Sequence, residues 1–111
     1  PPTRKPDHTV PYQTAPDQAY VYRLSGDRNP LHTDPSFAAL GGFNRPILHG
    51  LCTYGFTGRA LLGALCDNDV TRFHHIEGRF SSPVLLAMHH RARLAHRLLP
   101  LLAVERARRV Q

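Results

Sequence analysis

Asp27 and His32 are the residues of this chain best suited by type and spacing to acid–base chemistry. They stand in the run Tyr22-Arg-Leu-Ser-Gly-Asp-Arg-Asn-Pro-Leu-His32, five positions apart, a reach of about 17 Å if the backbone were extended. Gly26 and Pro30 bracket a turn that can fold both side chains toward one cleft. A carboxylate and an imidazole meeting there can hold and deprotonate a water, because neutral histidine has a pKa near ~6.5 and general bases work best close to operating pH. The same residues also fit an Asx-type turn with a histidine on the surface, and spacing alone leaves both readings open.

Other chemistry-bearing residues read as structural. His74 and His75 are adjacent, so in a strand they face opposite ways and cannot share a metal ion. His49 reads as a helix-start residue, and Asp67 and Asp69 as turn residues rather than calcium ligands. Cys52 and Cys66 fall in one predicted helix, where fourteen residues of rise separate them by about 21 Å. That distance excludes a disulfide and leaves them as small core residues. No metal site is expected.

The elements that must position Asp27 and His32 are punctuated by proline and glycine. The chain has 111 residues, enough for one domain and too few for a two-domain enzyme. Residues 1–16 hold five of the ten prolines and read as a linker closing on a short strand near His8–Gln13. Residues 17–83 form the body. Asp17–Leu24 fits a helix or a buried strand, with Gly26 favouring the helix. Asp34-Pro35 supplies an N-cap and an N1 proline for a short helix Pro35–Leu40, ended by Gly41-Gly42. Ile47–Leu65 has helical spacing but four glycines, each costing up to about 1 kcal/mol relative to alanine, so packing must hold it, with a sheet wrapped around it. Asp67–Asp69 is a predicted turn, and Val70–Pro83 has the Phe, Ile and Val content of a strand.

The run LSGDRNPLH, followed by the helix-opening ILHGLCTYGF, resembles the hydratase 2 motif of the MaoC-like (R)-specific enoyl-CoA hydratases, and most closely the catalytic second half of the double-hotdog enzymes. The resemblance covers about residues 8–83. It implies an α+β hotdog fold, a central helix wrapped by an antiparallel sheet. Carried over residue by residue, it makes Asp27 and His32 the catalytic pair, gives Asn29 the positioning of reactants, and assigns the Gly50 backbone N–H to the thioester carbonyl. The implied substrate is a trans-2-enoyl-CoA, the product a (3R)-hydroxyacyl-CoA, the partner a second copy or a second hotdog half, and no cofactor is required. Conjugate addition of water needs only proton management and a donor at the carbonyl oxygen, where negative charge develops.

At Val84 the composition changes. Residues 84–111 contain seven Leu, six Arg, five Ala and three His, with no Gly, Ser or Thr. The formal charge of +6 is concentrated there: residues 1–83 carry eight Lys+Arg against seven Asp+Glu, and the tail six Arg against Glu105. Basicity outside the body, without interleaved aromatics, argues against nucleic-acid binding. The tail itself also fits a basic amphipathic helix interrupted at Pro100. It lacks the strand patterning that the family has at this point, and its composition is what GC-rich coding sequence yields out of frame. The expectation is therefore a non-homologous tail and a hotdog missing C-terminal strands, with an inactive remnant or partner-dependent half as the alternative to an active hydratase. No apolar run reaches the ~18 residues of a membrane span, the first residues do not resemble a secretory signal, and the expected compartment is the cytoplasm.

Overall fold

The computed structural model describes residues 5–94. Strand β1 (His8–Gln13) leads into helix α1 (Gln18–Tyr22), which tightens into a 3-10 turn at Arg23–Ser25. A second 3-10 turn at Pro30–His32 precedes helix α2 (Pro35–Leu40). Helix α3 (Gly50–Cys66) is the long central element, followed by a 3-10 turn at Val70–Arg72 and strand β2 (His89–Leu94). β1 and β2 pair antiparallel, from His8 opposite Leu94 to Gln13 opposite His89.

Local chemistry explains the short elements. Asp34 caps α2 by accepting from the Ser36 and Phe37 N–H groups at 2.8 and 3.3 Å, with Pro35 at the first helical position. The predicted bounds Pro35–Leu40 match. α3 ends where Asp67 and Asn68 take left-handed backbone, φ 53° and 62°, and the Asn68 N–H returns to the Leu62 carbonyl at 3.0 Å.

α3 begins at Gly50 rather than at the expected Ile47. Ile47 forms a β-bridge with Leu85, and the Leu48 N–H bonds the Val84 carbonyl at 2.7 Å. These pairings hold the two residues in extended backbone, and the helix starts just after them. The predicted strand Val70–Pro83 is also corrected. Its first residues are a 3-10 turn capped by Asp69, and 73–83 run as irregular chain along α3, where the Tyr54 hydroxyl donates to the Ile76 carbonyl at 2.7 Å. No strand partners this segment among the described residues, and β-type side chains alone do not make a strand.

A further correction concerns the segment after Val84, where strands were expected to be absent. β2 lies within it. The Thr14 hydroxyl donates to the Leu85 carbonyl, and the Thr14 N–H to the Met88 carbonyl, so residues 84–88 are tied to the body as well. Residues 95–111, the remainder of the basic tail, lie outside the described residues.

Packing centres on α3. Leu61 and Ala92 form one buried cluster with Val10, Tyr12, Ala60 and Ile76 around them, and the Tyr12 and Phe56 rings stack at 4.9 Å. Ala19, Leu48 and Cys52 form a second cluster, joined by Tyr22, Phe56, Val84 and Leu86. A sheet over a central helix is the hotdog arrangement expected. Cys52 and Cys66 are both free and buried. Burial raises the Cys52 thiol pKa, which suits a core residue.

Candidate active site

Each polar side chain of the Gly26–His32 turn has a local task. Gly26 closes the 3-10 turn with φ 114°, a left-handed geometry that a side chain would strain. The Asp27 carboxylate accepts from the Asn29 N–H at 3.2 Å, and Asn29 Oδ1 accepts from the Leu31 N–H at 3.0 Å. Pro30 opens the following 3-10 turn, which ends on His32. The Asx turn is therefore present. His32, however, is not a surface residue: it is 8% exposed, with its ring turned inward.

What turns it inward is the chain just ahead of α3. His32 Nδ1 lies 2.8 Å from the Ile47 carbonyl oxygen. A carbonyl can only accept, so Nδ1 carries a proton, and in the neutral ring Nε2 is then the nitrogen with the lone pair. That is the tautomer of a base. Asp27 remains exposed at the surface beside it.

His49 completes the cluster, and the sequence reading missed this role. It is the N-cap residue of α3, as expected of a helix-start residue, but its side chain points into the site and is 1% exposed. Its Nε2 lies 3.1 Å from the Asp27 backbone carbonyl, which makes Nε2 the protonated nitrogen. Its ring stacks on that of His32 with centroids 3.8 Å apart and planes inclined by 29°, and the Tyr22 ring packs against it at 4.7 Å. Its Nδ1 is buried without a hydrogen-bond partner. Burial, foremost, lowers the His49 pKa, opposed by its bond to the Asp27 carbonyl and reinforced by His32 nearby. The signal available in the sequence was the His-Gly pair at the helix start, which drew attention to the glycine.

Gly50 follows directly and opens α3. The first N–H groups of a helix have no intrahelical acceptor and sit at the positive end of its dipole, so they suit a developing oxyanion. The Phe80 ring lies 3.4 Å from the point where a Cβ on Gly50 would stand. The fold thus brings Asp27, His32 and Gly50 to one locality, with Asn29 in the connecting turn.

One donor atom from each of Asp27, His32 and His49 lies within 4.8 Å of the others. Two imidazoles bind one ion only when both ring planes pass through it, at about 2.0–2.1 Å from a nitrogen of each. Rings stacked face to face at 3.8 Å and inclined by only 29° do not meet that condition. The arrangement suits proton handling better than metal binding.

Comparison with known proteins agrees with the fold and the motif. The family model described as "MaoC like domain" matches residues 1–97, continuing past Val84. "Peroxisomal multifunctional enzyme type 2" of Drosophila melanogaster is 57% identical over 84 residues, which cover 76% of this chain and 14% of that protein. "Enoyl-CoA hydratase 2, peroxisomal" of Arabidopsis thaliana is 53% identical over 83 residues, covering 75% of this chain and 27% of that protein. The solved structure of the full-length Drosophila enzyme superimposes with a TM-score of 0.82 at 51% identity, covering 88% of this chain and 18% of the other. The chain therefore spans well under a third of the length of these relatives.

Proposed function

The chain belongs to the family described as MaoC like domain, and on that premise we propose that its site carries out the reversible (R)-specific hydration of a trans-2-enoyl-CoA. The observation that supports this most is the bond between His32 Nδ1 and the Ile47 carbonyl. Nδ1–H is committed there, which leaves Nε2 as the nitrogen available to a water in the same small cluster as the Asp27 carboxylate.

In the proposed mechanism, His32 Nε2 takes a proton from a water held between it and Asp27. The water oxygen bonds to C3, the C2–C3 π electrons move toward the thioester, and negative charge collects on the carbonyl oxygen. The Gly50 N–H, at the start of α3, donates to that oxygen, an interaction of several kcal/mol when the donor is preorganised. The proton taken up by His32 then passes through Asp27 to C2 on the same face, giving the (3R)-hydroxyacyl-CoA and returning both side chains to their starting states. Asn29 orients the reactants through its side-chain amide, whose Oδ1 is held by Leu31 N–H. No redox step occurs, and each proton removed from water is returned to substrate or solvent.

Among the described residues the sheet has two strands, and Leu24, Leu40 and Leu51 are strongly exposed. These apolar groups support a second hotdog unit, from another copy or another half, as the partner that completes the substrate cleft. No helix among the described residues is long and apolar enough to cross a membrane. The relatives' names place those proteins in peroxisomes, whereas the sequence reading favoured the cytoplasm; a CoA thioester is a water-borne substrate in either. The test is incubation with a short trans-2-enoyl-CoA, followed by loss of the conjugated enoyl absorbance and by the handedness of the product. Formation of the (3R) product supports the assignment. A (3S) product, or no hydration at any chain concentration, refutes it.

A further inference from the structure

We propose that His49 is a positioning residue, the clamp that fixes the Asp27–His32 turn against the N-terminus of α3. The inference rests on the hydratase reading and deepens it.

The two parts of the site come from separate stretches of chain, residues 27–32 and 49–50, and nothing local sets the distance between them. They are joined by a reciprocal pair of hydrogen bonds. His32 reaches from the turn to the backbone of Ile47 just ahead of α3, 2.8 Å. His49 reaches from the head of α3 to the backbone of Asp27 in the turn, 3.1 Å. Between the two bonds the rings stack at 3.8 Å. Removing either bond leaves the other as the one remaining bond of the pair, about which the turn can pivot.

Packing alone does not account for an imidazole at this position. His49 is 1% exposed and its Nδ1 has no hydrogen-bond partner, a state that costs stability relative to an apolar ring of similar shape. A phenylalanine would fill the space between Tyr22 and His32 with no buried ring nitrogen of its own to satisfy. What the imidazole adds is the Nε2–H aimed at the Asp27 carbonyl. That bond sets the backbone from which the Asp27 carboxylate projects, and so its register with His32 Nε2 and with the Gly50 N–H that follows His49 in the chain. His49 itself is buried behind His32 and moves no proton in the reaction.

The test compares His49→Phe, which keeps a ring in the stack but removes the donor, with His49→Gln, whose side-chain amide N–H can stand where Nε2–H does. His49→Phe is expected to lower kcat by about 10²-fold, the scale of a misplacement near 1 Å, with little change in KM. His49→Gln is expected to recover most of that loss. Amide hydrogen exchange at Asn29, Leu31 and His32 should quicken in His49→Phe and stay near the parent rate in His49→Gln. Undiminished kcat in His49→Phe, equal loss in both variants, or a change in KM alone would overturn the proposal while leaving the hydratase assignment standing. If the parent chain does not hydrate enoyl-CoA, the hydratase reading falls and exchange at the turn decides the clamp by itself. Should His49→Phe fail to fold, the 15N shifts of the parent decide: a proton on His49 Nε2 upholds the clamp, and a proton on Nδ1 refutes it.

Discussion

Placing a carboxylate at Ala92 tests whether the segment after Val84 is part of the fold. Ala92 lies in β2 opposite Val10, is 2% exposed, and packs on Leu61 with Tyr12 and Ile76 nearby. Ala92→Asp would bury a carboxylate in the apolar cluster formed with Leu61, Val10, Tyr12 and Ile76. An uncompensated buried charge costs about 3–5 kcal/mol, against a total stability of roughly 5–15 kcal/mol for a domain of this size. At about 4 °C per kcal/mol, the melting temperature should fall by about 12–20 °C. The control is the same substitution at Ala39, exposed on α2, where the cost is the helix-propensity difference of under about 1 kcal/mol. Urea unfolding of the parent and both variants measures the effect, and a lower midpoint at unchanged slope is a true loss of stability. If Ala92→Asp costs no more than Ala39→Asp, β2 does not pack on α3, and the packing of residues 89–94 described above is wrong.

Three further outcomes are expected. Ala87 has left-handed backbone, φ 56°, so Ala87→Gly should stabilise the chain by about 1 kcal/mol in the same urea assay. Because the His49 pKa is lowered from 6.5 in the fold, the unfolded chain binds the extra proton first. The stability associated with neutral His49 is complete above pH 6.5 and is lost as pH falls from there through the lowered folded value. Unfolding measured at stepped pH should show this slope, reduced in His49→Phe. Asn29→Ala removes the oxygen that accepts from Leu31 N–H and should cost about 1 kcal/mol of stability, with a smaller loss of hydration rate than changes at Asp27 or His32.

Elements fixed by local chemistry were the legible ones. Asp34-Pro35 and Gly41-Gly42 mark α2 at both ends because capping and turn preferences act within a few residues. β1 fell where proline spacing and β-type residues placed it. The start of α3 was misjudged because the pairing of Ile47 and Leu48 with residues 84 and 85 joins stretches far apart in the sequence and leaves no local mark. Val70–Pro83 misled in the opposite sense: its composition is that of a strand, but a strand also needs a neighbour. β2 was hidden because HHRARL contains no Val, Ile, Thr, Tyr, Phe or Trp, and its pairing with β1 is set by tertiary contact rather than propensity.

The site divides along the same line. Asp27, Asn29, His32 and Gly50 stand in a near-continuous motif whose turn residues can be read directly, and the structure gathers Asp27, His32 and Gly50. His49 could be placed at the helix start, but its stacking on His32 and its bond to the Asp27 carbonyl depend on how the turn docks onto α3. Periodicity carries no information about that docking.

The most direct test of the central claim is the hydration rate of the parent chain, Asp27→Asn and His32→Ala on one short trans-2-enoyl-CoA, with folding of each variant checked by circular dichroism. If His32 Nε2 and the Asp27 carboxylate manage the protons, each substitution should lower kcat by at least about 10²-fold, the low end for general acid–base groups, in a chain that remains folded. A folded variant of either residue that hydrates the substrate at the parent rate would contradict the account.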